Sequence, residues 1–258
     1  MTTVNLRLGT VAHLELDDPP LNLVTGELLR ELDDALAVLE TTEPGDVRAV
    51  VVSGAGEKAF SVGSNVKEFE DHRGPAGRAR FELEARVAQR LAGLPMPTIA
   101  AIEGSALGGG LELALCCDLR VASERAQLGL PEVRLAVTPS TGGTQRLPRI
   151  VGVGRAKELL LTGRILTARE AERIGLVNEV VLHGEAVARA NAIGEEIARG
   201  GPLAVREVKA LIDGALDREL GAGHAAEVET SVRIFATDDL LEGARAFVAK
   251  RDPEYHGR

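Results

Sequence analysis

The sequence predicts an α/β core followed by a helical tail, on three observations. Short apolar runs of strand length alternate with helical patterns through the first 200 residues. Glycine-rich turns stand between several of these strands and the helices after them. Beyond Gly200-Gly201-Pro202 the chain reads as helix almost throughout, with Ala, Glu, Arg and Leu at helical periods. The expected division is residues 1–200 as the core and 201–258 as the tail. Apolar faces on a tail that follows a complete core serve assembly, so a homo-oligomer is expected.

The elements follow in order. Residues 4–8 and 11–16 alternate apolar and polar around Gly9-Thr10, a hairpin signal. Thr25 is placed to cap a helix over 27–40, where Leu28, Leu29, Leu32, Leu36 and Leu39 recur at helical spacing. The β-branched run at 47–53 is a buried strand. Gly54, Gly56 and Gly63 make the next stretch a loop, with a helix starting near Ser64 or Asn65. Residues 71–77 read as a polar, mobile loop and 78–93 as an amphipathic helix, stopped by Leu94-Pro95-Met96-Pro97.

The stretch 98–132 organises the rest: an apolar strand, the turn Gly108-Gly109-Gly110, a helix over 111–117, another strand, and a loop reaching Pro131-Glu132. A strand that feeds a helix through three glycines presents bare backbone N–H groups at the helix N-terminus, which suit an anion or a developing oxyanion. Glu112 lies in the first turn of that helix, and Glu132 is a second carboxylate. An anion-binding turn beside two carboxylates polarises a carbonyl and moves protons next to it. The loop ending at Gly63 repeats the design of strand, glycine and helix start, so two turns are available to offer one N–H each to the same oxygen. Downstream, residues 139–143 form a tight turn opening a helix. Helical patterns follow over 156–161, and a helix-turn-strand unit over 168–181. Gly152 and Gly154 mimic part of a dinucleotide fingerprint, but Lys157 stands where its third small residue belongs.

Composition narrows the function classes. The net charge of −9 argues against a general nucleic-acid or membrane-surface role. With no Trp, one Tyr and five Phe, there is little to stack bases on. No apolar run is long enough to span a bilayer, and the N-terminus lacks a signal-peptide layout. Cys116 and Cys117 sit side by side on an apolar helix and are read as small buried hydrophobes, in keeping with a reducing cytoplasm. The five histidines are scattered, and no metal site is expected.

Several segments together resemble the enoyl-CoA hydratase (crotonase) family over essentially the whole chain. They are KAFSVGSN at 58–65, ALGGGLE at 106–112, LPE at 130–132, TGGTQRL at 141–147, and FATDD, EG and AFVAKR between 235 and 251. The resemblance implies a spiral core of repeated ββα units and a C-terminal helical region that trimerises, commonly as a dimer of trimers. It implies an acyl-CoA thioester ligand, with coenzyme A as part of the substrate and no separate cofactor. Backbone N–H groups of Ser64 and Gly109 would form the oxyanion hole. Val62, Ser64, Asn65, Val66 and Lys67 would border the CoA, with Lys67 a phosphate partner. Phe247 and Lys250 would touch the adenine end, often of a neighbouring subunit's ligand. Glu112 and Glu132 fill both glutamate positions of the hydratases, which implies syn hydration of a 2-trans-enoyl-CoA to a 3-hydroxyacyl-CoA in fatty-acid β-oxidation.

Two departures from the family pattern stand out. Ser64-Asn65 replaces the common Ala-Asp, and Ser140 stands where hydratases usually carry a glycine lining the water site. The Ser140 hydroxyl either bonds the water, shrinks the pocket or is silent. Three rivals compete with the hydratase reading: an enoyl-CoA isomerase or a hydratase for branched or aromatic acyl groups; a serine hydrolase using Ser105, which lacks the G-x-S-x-G context; and a non-catalytic CoA- or RNA-binding relative.

Overall fold

The computed structural model describes residues 2–258. The chain opens with the expected hairpin, β1 (Val4–Arg7) antiparallel to β2 (Val11–Leu16). Helix α1 (Gly26–Glu40) follows, its N-terminus capped by the Thr25 side chain, which accepts from the Leu28 N–H. Strand β3 (Ala49–Gly54) runs parallel to β2. After it comes β4 (Ala59–Ser61), a strand inside the stretch expected to be loop. The helix expected near Ser64 is a single 3₁₀ turn, Val66–Glu68, with Asn65 as its cap. Helix α2 (Pro75–Ala92) starts with proline in its first turn and so absorbs part of the segment read as a polar loop.

Strand β5 (Thr98–Ile102), β6 (Ser105–Leu107), helix α3 (Gly109–Leu115), β7 (Leu119–Ser123) and β8 (Gln127–Gly129) then succeed one another closely. Glu132 opens a short 3₁₀ turn, Glu132–Leu135. The remaining elements are α4 (Gly143–Val151), α5 (Val153–Thr162), β9 (Ile165–Thr167), α6 (Ala168–Arg173), β10 (Glu179–Val181), α7 (Ala186–Ala198), α8 (Pro202–Asp213), α9 (Leu220–Ile234) and α10 (Asp238–Ala249). Gly152 caps α5 between two helices, so no strand precedes it as a dinucleotide site requires.

The strands form two sheets. The larger has the order β1-β2-β3-β5-β7-β10 and is parallel from β2 onward. Its central strands are buried on both faces. In β3, Val50 and Val52 enter the main core with α1 and α2, while Ala49 and Val51 join Ile99, Ala101 and Val121 beneath Ala186 and Ala190 of α7. This is why the sequence there is a continuous apolar run rather than an alternating one.

The smaller sheet has the order β4-β6-β8-β9, and each of its strands is three residues long. Strands β4, β6 and β8 are parallel, so their C-terminal ends lie at one edge. The three segments leaving that edge are residues 62–64, 108–109 and 130–132. In parallel sheets ligands bind beyond the carboxyl ends of the strands, and this edge is where the candidate site lies.

Past Gly201 no strand occurs, and α8 ties back to the core. Lys209, nearly buried, pairs with Asp118, whose carboxylate also accepts from the Thr98 N–H at 2.7 Å. The last residues return over the core: Asp239 accepts the N–H groups of His256 and Gly257 at 2.7 and 2.8 Å, and Arg48 donates to the Tyr255 carbonyl at 2.6 Å. Cys116 and Cys117 are buried free thiols. No helix among the described residues is long and apolar enough to cross a membrane.

Candidate active site

The two glycine turns meet. Gly63 has φ +85°, and a Cβ there would lie 2.8 Å from the Gly109 nitrogen. Only glycine allows both the backbone angle and the approach. The Val24 N–H donates to the Gly63 carbonyl at 2.9 Å, which pins the turn to the segment before α1. Among the described residues, neither the Ser64 nor the Gly109 N–H has a protein acceptor. Both residues line one cavity of about 670 Å³, as do Val62, Val66, Glu112, Glu132 and Ser140.

Glu112 and Glu132 face this cavity from different elements, and their surroundings differ. Glu112, in the first turn of α3, is buried, and its Oε1 accepts the backbone N–H groups of Thr141 and Gly143 at 2.9 and 2.7 Å. The approach is close: a Cβ at position 143 would lie 3.0 Å from the same oxygen, so any other residue would press on it. Burial raises the Glu112 carboxyl above the ordinary range, while the N–H groups of Gly143, Thr141 and Ser140 pull it back down. Glu132 receives no N–H group from a neighbouring turn. Both of its carboxylate oxygens are buried without a hydrogen-bond partner. Burial pushes it up to about 7; its own backbone N–H, near but outside good hydrogen-bond geometry, offsets a little of this, and the negative charge of Glu112 adds a smaller push. Both carboxyls are raised, so they share protons as a pair, and the N–H groups on Glu112 make it the readier of the two to carry the negative charge.

The other expected site residues divide. Asn65 bonds within its own turn, accepting from the Lys67 N–H at 3.2 Å and donating to Glu68 at 2.9 Å, and does not line the cavity. Lys67 is exposed on the same turn, one residue beyond Val66. Phe247 and Lys250 lie at the end of α10, exposed and away from the cavity of their own chain. Ser140 lines the cavity, and its hydroxyl donates to Glu84 Oε2 at 2.9 Å, a partner the sequence did not suggest. Phe69, His72, Arg73, Arg80 and Phe81 extend the cavity wall.

Sequence reasoning missed Glu84 and Arg80. They sit four apart on α2 and read as the solvated face of an amphipathic helix, yet both are nearly buried against the cavity. It also missed the backbone donors to Glu112, for which the glycines at 142 and 143 were the only available signal. Among the described residues no three His, Cys, Asp or Glu side chains come together as metal ligands would.

This geometry can receive an anionic oxygen at one wall and exchange protons at the other, with enough apolar surface between them for an acyl chain. Comparisons with known proteins agree. Residues 7–258 match the family model described as enoyl-CoA hydratase/isomerase. The chain is 40% identical over 247 residues to a short-chain-enoyl-CoA hydratase of Clostridium acetobutylicum, covering 95% of this chain and 94% of that one. It is 39% identical over 241 residues to a mitochondrial methylglutaconyl-CoA hydratase of Rattus norvegicus, covering 92% and 76%. A crystal structure of an enoyl-CoA hydratase from Bacillus anthracis superposes with a TM-score of 0.95 at 40% identity, covering 99% of this chain and 100% of that one. The spiral α/β architecture of the crotonase fold is therefore the one observed, and the chain belongs to the enoyl-CoA hydratase/isomerase family.

Proposed function

We propose that the protein is an enoyl-CoA hydratase that adds water to a 2-trans-enoyl-CoA. The observation that carries this reading is the unequal pair of buried carboxyls, Glu112 held by two N–H groups and Glu132 bare, beside two unengaged backbone donors. The thioester oxygen sits against the N–H groups of Ser64 and Gly109, which draws electron density from the double bond and makes C3 electrophilic. A water lies between the carboxyls. Glu112, as the anion, takes a proton from it while the water oxygen bonds to C3. Glu132, as the acid, gives its proton to C2. The proton then passes from Glu112 back to Glu132, and the pair is restored. Water and substrate suffice, and no cofactor is consumed.

The CoA moiety runs along residues 62–67, with Lys67 near its phosphates. Phe247 and Lys250 serve the adenine end of a neighbouring subunit's ligand. That arrangement requires assembly through the helical tail as a trimer or dimer of trimers. Exposed Val228 and Val232 on α9, Phe235 just after it, and Leu241 and Val248 on α10 are the surface for it. The setting is cytoplasmic acyl-CoA metabolism of the β-oxidation type. Identities of 40% to a short-chain-enoyl-CoA hydratase and 39% to a methylglutaconyl-CoA hydratase leave the acyl group open to both linear and branched candidates.

The same unpartnered Glu132 also supports isomerisation, which needs one base moving a proton between C2 and C4. Incubation with a short trans-2-enoyl-CoA, followed by mass spectrometry, tests the main reading. The expected product is the intact thioester heavier by one water. Free CoA would point to a hydrolase. Conversion of a 3-enoyl-CoA without hydration would point to an isomerase, and Glu112→Gln separates the two because isomerisation survives on Glu132 alone.

A further inference from the structure

Helix α2 carries two ion pairs of the same type. Arg78 and Glu82 are 3.1 Å apart on the solvent side, with side chains 81% and 64% exposed. Arg80 and Glu84 are 2.8 Å apart on the inner side, with side chains 7% and 3% exposed. An exposed pair at this spacing contributes little, and Arg before Glu is the weaker order for helix support. Stabilising α2 is therefore no reason to bury the second pair, and its remaining contacts give one. Arg80 Nη2 donates to the Val24 carbonyl at 2.5 Å, and Val24 is the residue bridged to Ser64 and bonded to Gly63. At the other end, Glu84 Oε2 accepts from the Ser140 hydroxyl, and Ser140 begins the run of N–H groups that hold Glu112.

We propose that Arg80, Glu84 and Ser140 form a positioning brace that fixes the turn holding Glu112 relative to the turn carrying Ser64. The inference rests on the hydratase reading for its catalytic consequence, but the brace itself is a matter of where two backbone turns sit. None of the three residues takes part in the proton transfers. Their task is to keep the carbonyl end and the carboxyl end of the site at the separation an enoyl thioester requires. Displacement of such groups by about 1 Å can cost about a hundredfold in rate.

The test compares Glu84→Ala, Ser140→Ala and the surface control Glu82→Ala in the full-length protein. The readouts are crotonyl-CoA kinetics and amide hydrogen exchange. The brace predicts that Glu84→Ala lowers kcat about ten- to a hundredfold with KM within about twofold. Ser140→Ala lowers it less, Glu82→Ala not at all, and exchange at Thr141 and Gly143 quickens in the first two while the β5 amides stay unchanged. Wild-type kcat and wild-type exchange in folded Ser140→Ala and Glu84→Ala overturn it. Should Glu84→Ala fail to fold, because a buried guanidinium is left unpaired, Ser140→Ala decides alone. Should the wild type not hydrate any enoyl-CoA, the hydratase reading fails. Exchange at Thr141 and Gly143 then decides the brace separately: quickened supports it, unchanged overturns it.

Discussion

Glu112 and Glu132 are the same residue type, face the same cavity and are both largely shielded from water, yet the protein treats them differently. Glu112 comes from a regular helix and is gripped by N–H groups of a turn that packs tightly on it at Gly143. Glu132 comes from a short 3₁₀ turn and is left with no partner at either oxygen. In the proposed reaction this difference sets which of the two is base and which is acid: backbone donors favour the charged form, and burial with fewer donors favours the neutral one.

The comparison is broken most severely by removing either carboxyl. Glu112→Gln and Glu132→Gln are each expected to lower hydration by about 10²–10⁴-fold, since one loses the proton acceptor and the other the proton donor. Disturbing the opposite wall comes next. Gly63→Ala introduces a Cβ where the Gly109 nitrogen already sits, so steady-state kinetics are expected to show kcat down by about 10²–10³-fold, the loss typical of a missing oxyanion donor. Gly143→Ala presses on Glu112 Oε1 instead and should cost about tenfold or more by displacing a positioned group.

The pH dependence sharpens the contrast. If Glu132 must hold its proton, kcat/KM falls as pH rises through about 7, and the descending limb disappears in Glu132→Gln along with most of the rate. The smallest effect is on stability and has a definite sign. Between about 4.5 and about 7 the native state keeps a proton on Glu132 that the unfolded chain releases, so this group makes the fold less stable as pH rises across that window. Glu132→Gln is therefore expected to be more stable than the wild type at pH 8 by about 1–3 kcal/mol. The advantage should fade below about pH 4.5, as read by denaturant midpoints at both pH values.

What the sequence made legible follows element length. Strands β2, β3, β5 and β7 have five or six residues each, enough to show alternation in β2 and apolar runs in β3 and β5, and α1 shows its leucine stripe and its Thr25 cap. The second sheet was illegible because its strands have three residues, too few to establish any period. Yet that sheet brings residues 62–64, 108–109 and 130–132 to one edge. The two glutamates and the glycine turns were visible as candidates, but their meeting was not. Arg80 and Glu84 were hidden for another reason: polar residues on an amphipathic helix signal a solvated face, and here that face points into a cavity. Backbone N–H groups, such as those on Glu112, carry no side-chain signature at all.

The most direct test of the account is the loss of conjugated thioester absorbance when the purified protein meets crotonyl-CoA, with Glu112→Gln and Glu132→Gln run in parallel. The account predicts rapid loss for the wild type and a fall by orders of magnitude for each variant, with both variants still binding the thioester. A wild type inert toward crotonyl-CoA and a longer enoyl-CoA, or either variant hydrating at the wild-type rate, would contradict it.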